Sequence, residues 1–198
     1  MNKNLTNKTA PESSGKIFVI CGPSGSGKGT VVKGVRKILP RVERLKTYTT
    51  RPRGHKEKSL GRHFVSASQF EKMRKAREFF ETNLFDGRWY GTRKHDLDRS
   101  HRASVDQITE VDLTGAKAIR KVYPNAVIIF LSSKITDLRR RLQKRGRDNA
   151  TNLRERLKVA KKELQEAKIC DYVVENKENE QKATIARVAK IISQENEK

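Results

Sequence analysis

Ile17-Phe18-Val19-Ile20-Cys21 is an unbroken apolar run with glycine-rich sequence on its C-terminal side, the pattern of a strand buried on both faces of a parallel sheet. Beyond it, Val31, Val32, Val35, Ile38 and Leu39 recur at helical spacing until Pro40 stops the pattern. Val105 to Val111 alternates as a strand does, and the helical stretch Thr114 to Val122 that follows ends before Pro124. Ala126 to Leu131 is a second buried strand, followed by a helix carrying Ile135, Leu138 and Leu142. Leu153 to Ala167 reads as a charged helix, Tyr172-Val173-Val174 as a short strand and Ala183 to Ile192 as a closing helix. Strands alternating with helices predict an α/β fold, a mostly parallel sheet flanked by helices.

Two stretches depart from this rhythm. Residues 1–14 have no apolar periodicity that could offset ordering, and they are expected to be a disordered leader before a domain spanning 15–198. From 49 to 92 the chain is punctuated by glycine and arginine, with short β-like runs at His63-Phe64-Val65 and Phe79-Phe80-Glu81. It reads as an insertion at the open end of the sheet, where ligands bind in such folds. The core is then expected over 15–48, 93–144 and 157–198.

Composition adds a charged surface. Of 198 residues 34% are apolar, and 45 Lys+Arg against 23 Asp+Glu leave a formal charge of +22. Such a charge fits a nucleic-acid binder, a membrane-surface binder or an enzyme with polyanionic substrates. The basic residues are spread through the chain, and no recognised nucleic-acid motif accompanies them. No run approaches the roughly 20 apolar residues of a membrane helix. Residues 1–14 lack the apolar block of a secretory signal, so the cytoplasm is the expected location. The two cysteines, Cys21 and Cys170, cannot form a disulfide framework and are expected as reduced thiols.

The most specific local signal is Gly22-Pro23-Ser24-Gly25-Ser26-Gly27-Lys28-Gly29-Thr30. It fits G-x-x-x-x-G-K between a strand and a helix, the context in which that motif binds phosphates. Glycines let several N–H groups converge on one anion, the helix N-terminus adds partial positive charge, and Lys28 reaches the β- and γ-phosphates. Gly29 stands where many such proteins carry a Ser or Thr on Mg²⁺. The ion is therefore expected on phosphate oxygens and water, with no side-chain ligand.

Thr47-Tyr48-Thr49-Thr50-Arg51-Pro52-Arg53, Phe79-Phe80-Glu81, Trp89-Tyr90-Gly91-Thr92 and Glu110-Val111-Asp112-Leu113-Thr114-Gly115 resemble the guanylate kinase family in order, spacing and type, from Lys16 onward. Gly-Lys-Gly-Thr is likewise similar to the loop of P-loop nucleoside monophosphate kinases. The resemblance implies transfer of a phosphoryl group from Mg·ATP to GMP, with dGMP as a second acceptor, giving ADP and GDP in purine nucleotide metabolism. It puts Thr47, Arg51, Arg53, Arg62, Glu81, Tyr90, Thr92 and Asp112 at GMP-binding positions, and Asn176 near the adenine.

Chemistry accords with those positions. Arg51 and Arg53 can grip a phosphate monoester with a fork that lysine lacks, and Tyr90 can add a hydroxyl donor. An ionised Glu81 accepts from N1–H and N2–H₂ of guanine, whereas adenine would present it with an acceptor. Thr47 and Thr92 can serve O6, and Asp112 can take a further amino or imidazole-edge contact. Mismatch would leave these polar readers unpaired. The family usually has Gly-x-Asp-Tyr-x-Phe where this chain reads Ser59-Leu60-Gly61-Arg62-His63-Phe64. Arg62 takes the tyrosine's place and can supply a cation to the phosphate.

Arg139 to Asp148 and Arg154-Glu155-Arg156-Leu157 resemble the family's lid, expected over 145–156. Lys28, Arg145 and Arg156, with Arg141 as a further candidate, would neutralise charge on the transferred group. No general base is needed, and His55, His63, His95 and His101 receive no catalytic role. Three other readings stay open. Arg147-Asp148-Asn149-Ala150 has some character of a ribose bisphosphate phosphokinase, guanylate-kinase-like scaffold domains bind phosphopeptides without catalysis, and the +22 charge suits nucleic acid. A monomer or homodimer fits the sequence equally.

Overall fold

The computed structural model describes residues 15–54, 61–85, 87–96, 98, 104–144 and 150–198. The expected leader, Arg145, and Arg147-Asp148-Asn149 lie outside the described residues. Five strands form a parallel central sheet in the order β2-β7-β1-β8-β9. They are β1 (Ile17–Cys21), β2 (Glu43–Arg44), β7 (Gln107–Glu110), β8 (Val127–Ser132) and β9 (Tyr172–Glu175). The helices with described bounds are α1 (Lys28–Ile38), α2 (Ala67–Lys75), α3 (Leu113–Val122), α4 (Ile135–Lys144), α5 (Ala150–Glu166) and α6 (Gln181–Asn196).

Every residue of β1 is buried because the sheet is covered on both faces. Phe18 and Ile20 pack with Val31, Val32 and Val35 of α1 and with Val188 and Ile192 of α6. Ile17, Val19 and Cys21 point the other way, into a cluster with Leu113, Ala116 and Ile119 of α3 and with Phe130. Alternation along one strand thus serves two apolar layers, and a continuous apolar run is the only sequence that satisfies both. Among the described residues, no helix is long and apolar enough to cross a membrane.

A second sheet of four strands has the order β4-β3-β6-β5: β3 (Thr47–Thr49), β4 (Arg62–Phe64), β5 (Phe79–Phe85) and β6 (Arg88–Arg93). Hydrophobic patterning signals β5 only in part and leaves β2, β3, β6 and α2 unmarked, since each buries few residues. Tyr48, Phe70, Met73 and Phe79 form a separate small core beneath this sheet, with Trp89 against it. Phe70 and Phe79 stack at a centroid distance of 4.4 Å. That core fills one face of the small sheet, which leaves the other face polar.

Candidate active site

The loop after β1 ends in the left-handed residue Gly27 at φ 94°, which caps α1. A Cβ there would lie 2.6 Å from Nδ2 of Asn176, and one on Gly22 would lie 2.4 Å from the carbonyl oxygen of Leu131. Backbone contact excludes a side chain at Gly22, and the left-handed conformation favours glycine at Gly27. Lys28 folds back over the loop, its Nζ donating to the carbonyls of Gly22 (2.5 Å) and Pro23 (3.1 Å). Burial lowers the Lys28 pKa, opposed by the charges of Glu163 and Glu110.

Distant residues converge on this loop. Asn176, following β9, donates from Nδ2 to the carbonyl of Ser26 at 2.7 Å. Arg141 of α4 donates to the carbonyls of Asn176 (2.9 Å) and Gly25 (3.4 Å) and to Oγ of Ser133 (3.2 Å). Arg156 of α5 donates to Oγ of Ser24 at 3.3 Å. Oγ of Ser26 is buried with no hydrogen-bond partner. A cleft of ~410 Å³ opens beside the loop, between Gly25, Gly27 and Thr30 on one side and Arg141, Asn176 and Asn179 on the other. Gly29 faces Glu110, whose Oε2 lies 3.1 Å from where a Cβ of Gly29 would stand.

The small sheet supplies the opposing wall. Thr47 pairs with Arg62 on one side and Thr92 on the other, and Thr92 pairs with Glu81. Directly paired residues share a face, so Arg62, Thr47, Thr92 and Glu81 form one row across all four strands. Two residues along, Phe64, Thr49, Tyr90 and Asn83 form the next row on the same face. Intervening Tyr48 enters the aromatic core on the other face. A register shift between Phe79 and Glu81 marks a bulge. It lets Phe79 join the aromatic core while Phe80 packs against the α3 layer.

Within the first row Thr92 donates from Oγ1 to Oε1 of Glu81 at 2.9 Å. Burial, partly countered by that hydrogen bond and reinforced by Asp112, pushes the Glu81 pKa up to about 7. Asn83 donates to Oδ2 of Asp112, and Oδ1 of Asp112 caps α3 by accepting from Gly115 N at 2.8 Å. Arg51 lies over the Phe64 ring at 5.2 Å. Arg53 is exposed in the loop after β3.

Arg62 is expected at a phosphate; here its Nη2 donates to Oε1 of Glu110 at 2.8 Å, and Arg44 donates to the same oxygen at 2.7 Å. The three side chains bind the small sheet to the end of β7. Glu110, Arg44, Asn83 and Glu163 received no role from the sequence. Glu110 was findable from its place at the C-terminal end of a parallel strand, where ligands gather. Glu163 accepts from Leu113 N at 3.4 Å, a contact between α5 and α3 that no local pattern announces. Among the described residues no three His, Cys, Asp or Glu side chains form a group able to hold a metal ion.

Comparison with known proteins agrees with this architecture. The family model for guanylate kinase matches residues 14–195. A guanylate kinase of Synechococcus is 34% identical over 173 residues, 86% of this chain and 80% of that protein. One from Thermotoga maritima is 36% identical over 164 residues, 82% of this chain and 79% of that one. The crystal structure of guanylate kinase from Anaplasma phagocytophilum superposes with a TM-score of 0.76 at 26% identity, covering 94% of this chain and 88% of the other. A parallel sheet carrying a phosphate loop, a small sheet whose polar row faces it, and this extent of similarity have one reading: the chain belongs to the guanylate kinase family.

Proposed function

We propose that the protein transfers the γ-phosphoryl group of Mg·ATP to GMP, and to dGMP, giving ADP and GDP in the purine nucleotide metabolism of the cytoplasm. The observation that carries this reading is the row Arg62, Thr47, Thr92 and Glu81, with Asp112 opposite. It offers a carboxylate for the donor edge of guanine and hydroxyls for O6, with Arg62 at its far end held by Glu110. Arg51 and Tyr90 lie beyond the row on the phosphate side of this reading, and Arg53 completes the grip from its loop.

ATP enters the cleft between the phosphate loop and the segment after β9, with Asn176 near the adenine. Loop N–H groups from Gly22 to Gly29 and the α1 N-terminus hold the β-phosphate, and Thr30 lies in the first turn beside them. Lys28 exchanges two carbonyl contacts for phosphate oxygens. Arg141, Arg156 and Arg145 add positive charge where negative charge is spread over the equatorial oxygens of the transferring group and builds on the leaving β-phosphate. The acceptor phosphate is already ionised, so the residues' task is alignment and exclusion of water. The residues also fit Mg²⁺: Oε2 of Glu110 is buried and unpartnered against Gly29, placed to accept from water around the ion. Bound there, Mg²⁺ would supply neutralisation of the nucleotide's phosphate charge.

The test is ADP release with Mg·ATP and GMP, dGMP, AMP, UMP, dTMP or ribose 1,5-bisphosphate in turn. Turnover is expected with guanine nucleotides alone, and Lys28→Ala is expected to lower kcat by about a thousandfold or more. Phosphorylation of ribose 1,5-bisphosphate, or of no acceptor, overturns the reading.

A further inference from the structure

Two thiols lie in contact just below the phosphate loop. Sγ of Cys21, the last residue of β1, is 3.8 Å from Sγ of Cys170, at the end of the short 3₁₀ turn Ala167–Ile169. They are 149 residues apart in sequence. Cys21 is fully buried and Cys170 is half-buried. The hydrogen bond between them and burial push the Cys21 thiol up. The same hydrogen bond draws the Cys170 thiol down, against partial burial and the charge of Asp171 and with small help from Arg120 and Lys117. Cys170, half-buried, is the sulfur an oxidant reaches first, and Cys21 lies buried behind it.

We propose that Cys21 and Cys170 are a reversible disulfide site, oxidised by hydroperoxides, that governs the phosphate loop. Cys170 thiolate attacks one peroxide oxygen, the O–O bond breaks, and water leaves once the departing hydroxide is protonated, giving a sulfenic acid. Cys21 sulfur, losing its proton, then attacks the Cys170 sulfur, and the S–O bond breaks to release a second water. Two thiols and one hydrogen peroxide give one disulfide and two waters, a two-electron oxidation shared by the sulfurs.

Coupling to the site follows from the chain on either side. A disulfide closes the sulfurs from 3.8 Å to about 2.05 Å. Cys21 is bonded to Gly22, whose carbonyl holds Lys28. Cys170 leads through β9 to Asn176, which holds Ser26 and receives Arg141. Movement at either sulfur thus reaches the loop along one short segment, and packed cores transmit such strain.

The bond forms or does not whatever the acceptor is, so its detection is independent of the proposed function; the effect on turnover rests on it. The full chain is treated with hydrogen peroxide, alkylated, digested and read by mass spectrometry. The expected result is a loss of about 2 Da, a linked Cys21–Cys170 peptide, and a fall in kcat/KM for ATP of about tenfold, reversed by dithiothreitol. Cys170→Ser is expected to keep untreated activity and to resist peroxide. Overoxidation of Cys170 with Cys21 still open to alkylation overturns the disulfide. A linked peptide with unchanged kcat/KM, or equal peroxide inhibition of Cys170→Ser, overturns the coupling.

Discussion

Glu81 concentrates the chemistry of the acceptor wall. Its carboxyl is raised to about 7 by burial, and by Asp112 against the relief given by Thr92. In the role proposed for it, only the ionised form accepts both donors of guanine, so GMP binding requires Glu81 deprotonated. KM for GMP is expected to rise about tenfold per unit below pH 7 while KM for ATP stays level, measured as initial rates from pH 5.5 to 8. Stability carries the opposite signature. An unfolded Glu titrates near 4.3, so the folded state binds the extra proton between that value and about 7, and folding weakens as pH rises through this window. Glu81→Gln removes the effect: urea denaturation should show a gain of about 1–3 kcal/mol at pH 8 and none at pH 4, alongside a loss of at least about a hundredfold in kcat/KM for GMP.

At the scale of elements, Asp112 serves two ends at once, as N-cap of α3 and as a carboxylate facing β5. Substitutions separate the roles. Asp112→Ser retains a capping oxygen and should hold the melting temperature within about 2 °C while raising KM for GMP, whereas Asp112→Ala should also cost about 1 kcal/mol of stability. The unmarked elements carried quieter signals. Ser66 accepts from Gln69 N at 3.1 Å at the start of α2, and Ser66-Ala67-Ser68-Gln69 is the S-x-x-Q of a capping box. Asp86-Gly87 is a two-residue hairpin signal, and Phe85 does pair with Arg88, with Gly87 at φ 65°. These cues are local and polar, so a search for apolar periodicity passes over them. β2 and β3, two and three residues long, are strands only because neighbouring strands lie beside them.

Across the whole molecule, Glu110 joins the two sheets. It is enclosed, and Arg44 and Arg62 share its Oε1. Removing one member of such a buried group leaves uncompensated charge. Glu110→Ala should therefore lower stability by about 3 kcal/mol, whereas Glu71→Ala, which breaks an exposed pair with Arg74, should change it by less than about 0.5 kcal/mol. Thermal unfolding of the two variants side by side gives the comparison. The +22 charge sets a background that favours anions, while Arg141, Arg51 and Arg62 are held at particular places by a backbone carbonyl, a ring and a carboxylate.

The sequence by itself determined the alternation of strand and helix, the two-sided burial of β1 and β8, and the phosphate loop. These are contiguous signals, written in the period of apolar residues and in glycines that must meet backbone closely. Family spacing also marked out the proposed acceptor residues as a set, without saying how they meet. Only tertiary structure decided that Arg62, Thr47, Thr92 and Glu81 stand in one row, because that follows from the register of four strands separated by loops. It also decided that Arg62 reaches Glu110, that Asn83 meets Asp112 and that Cys21 touches Cys170. Such contacts depend on the packing of segments far apart in the chain, and a one-residue slip in register would turn each strand's side chains to the other face.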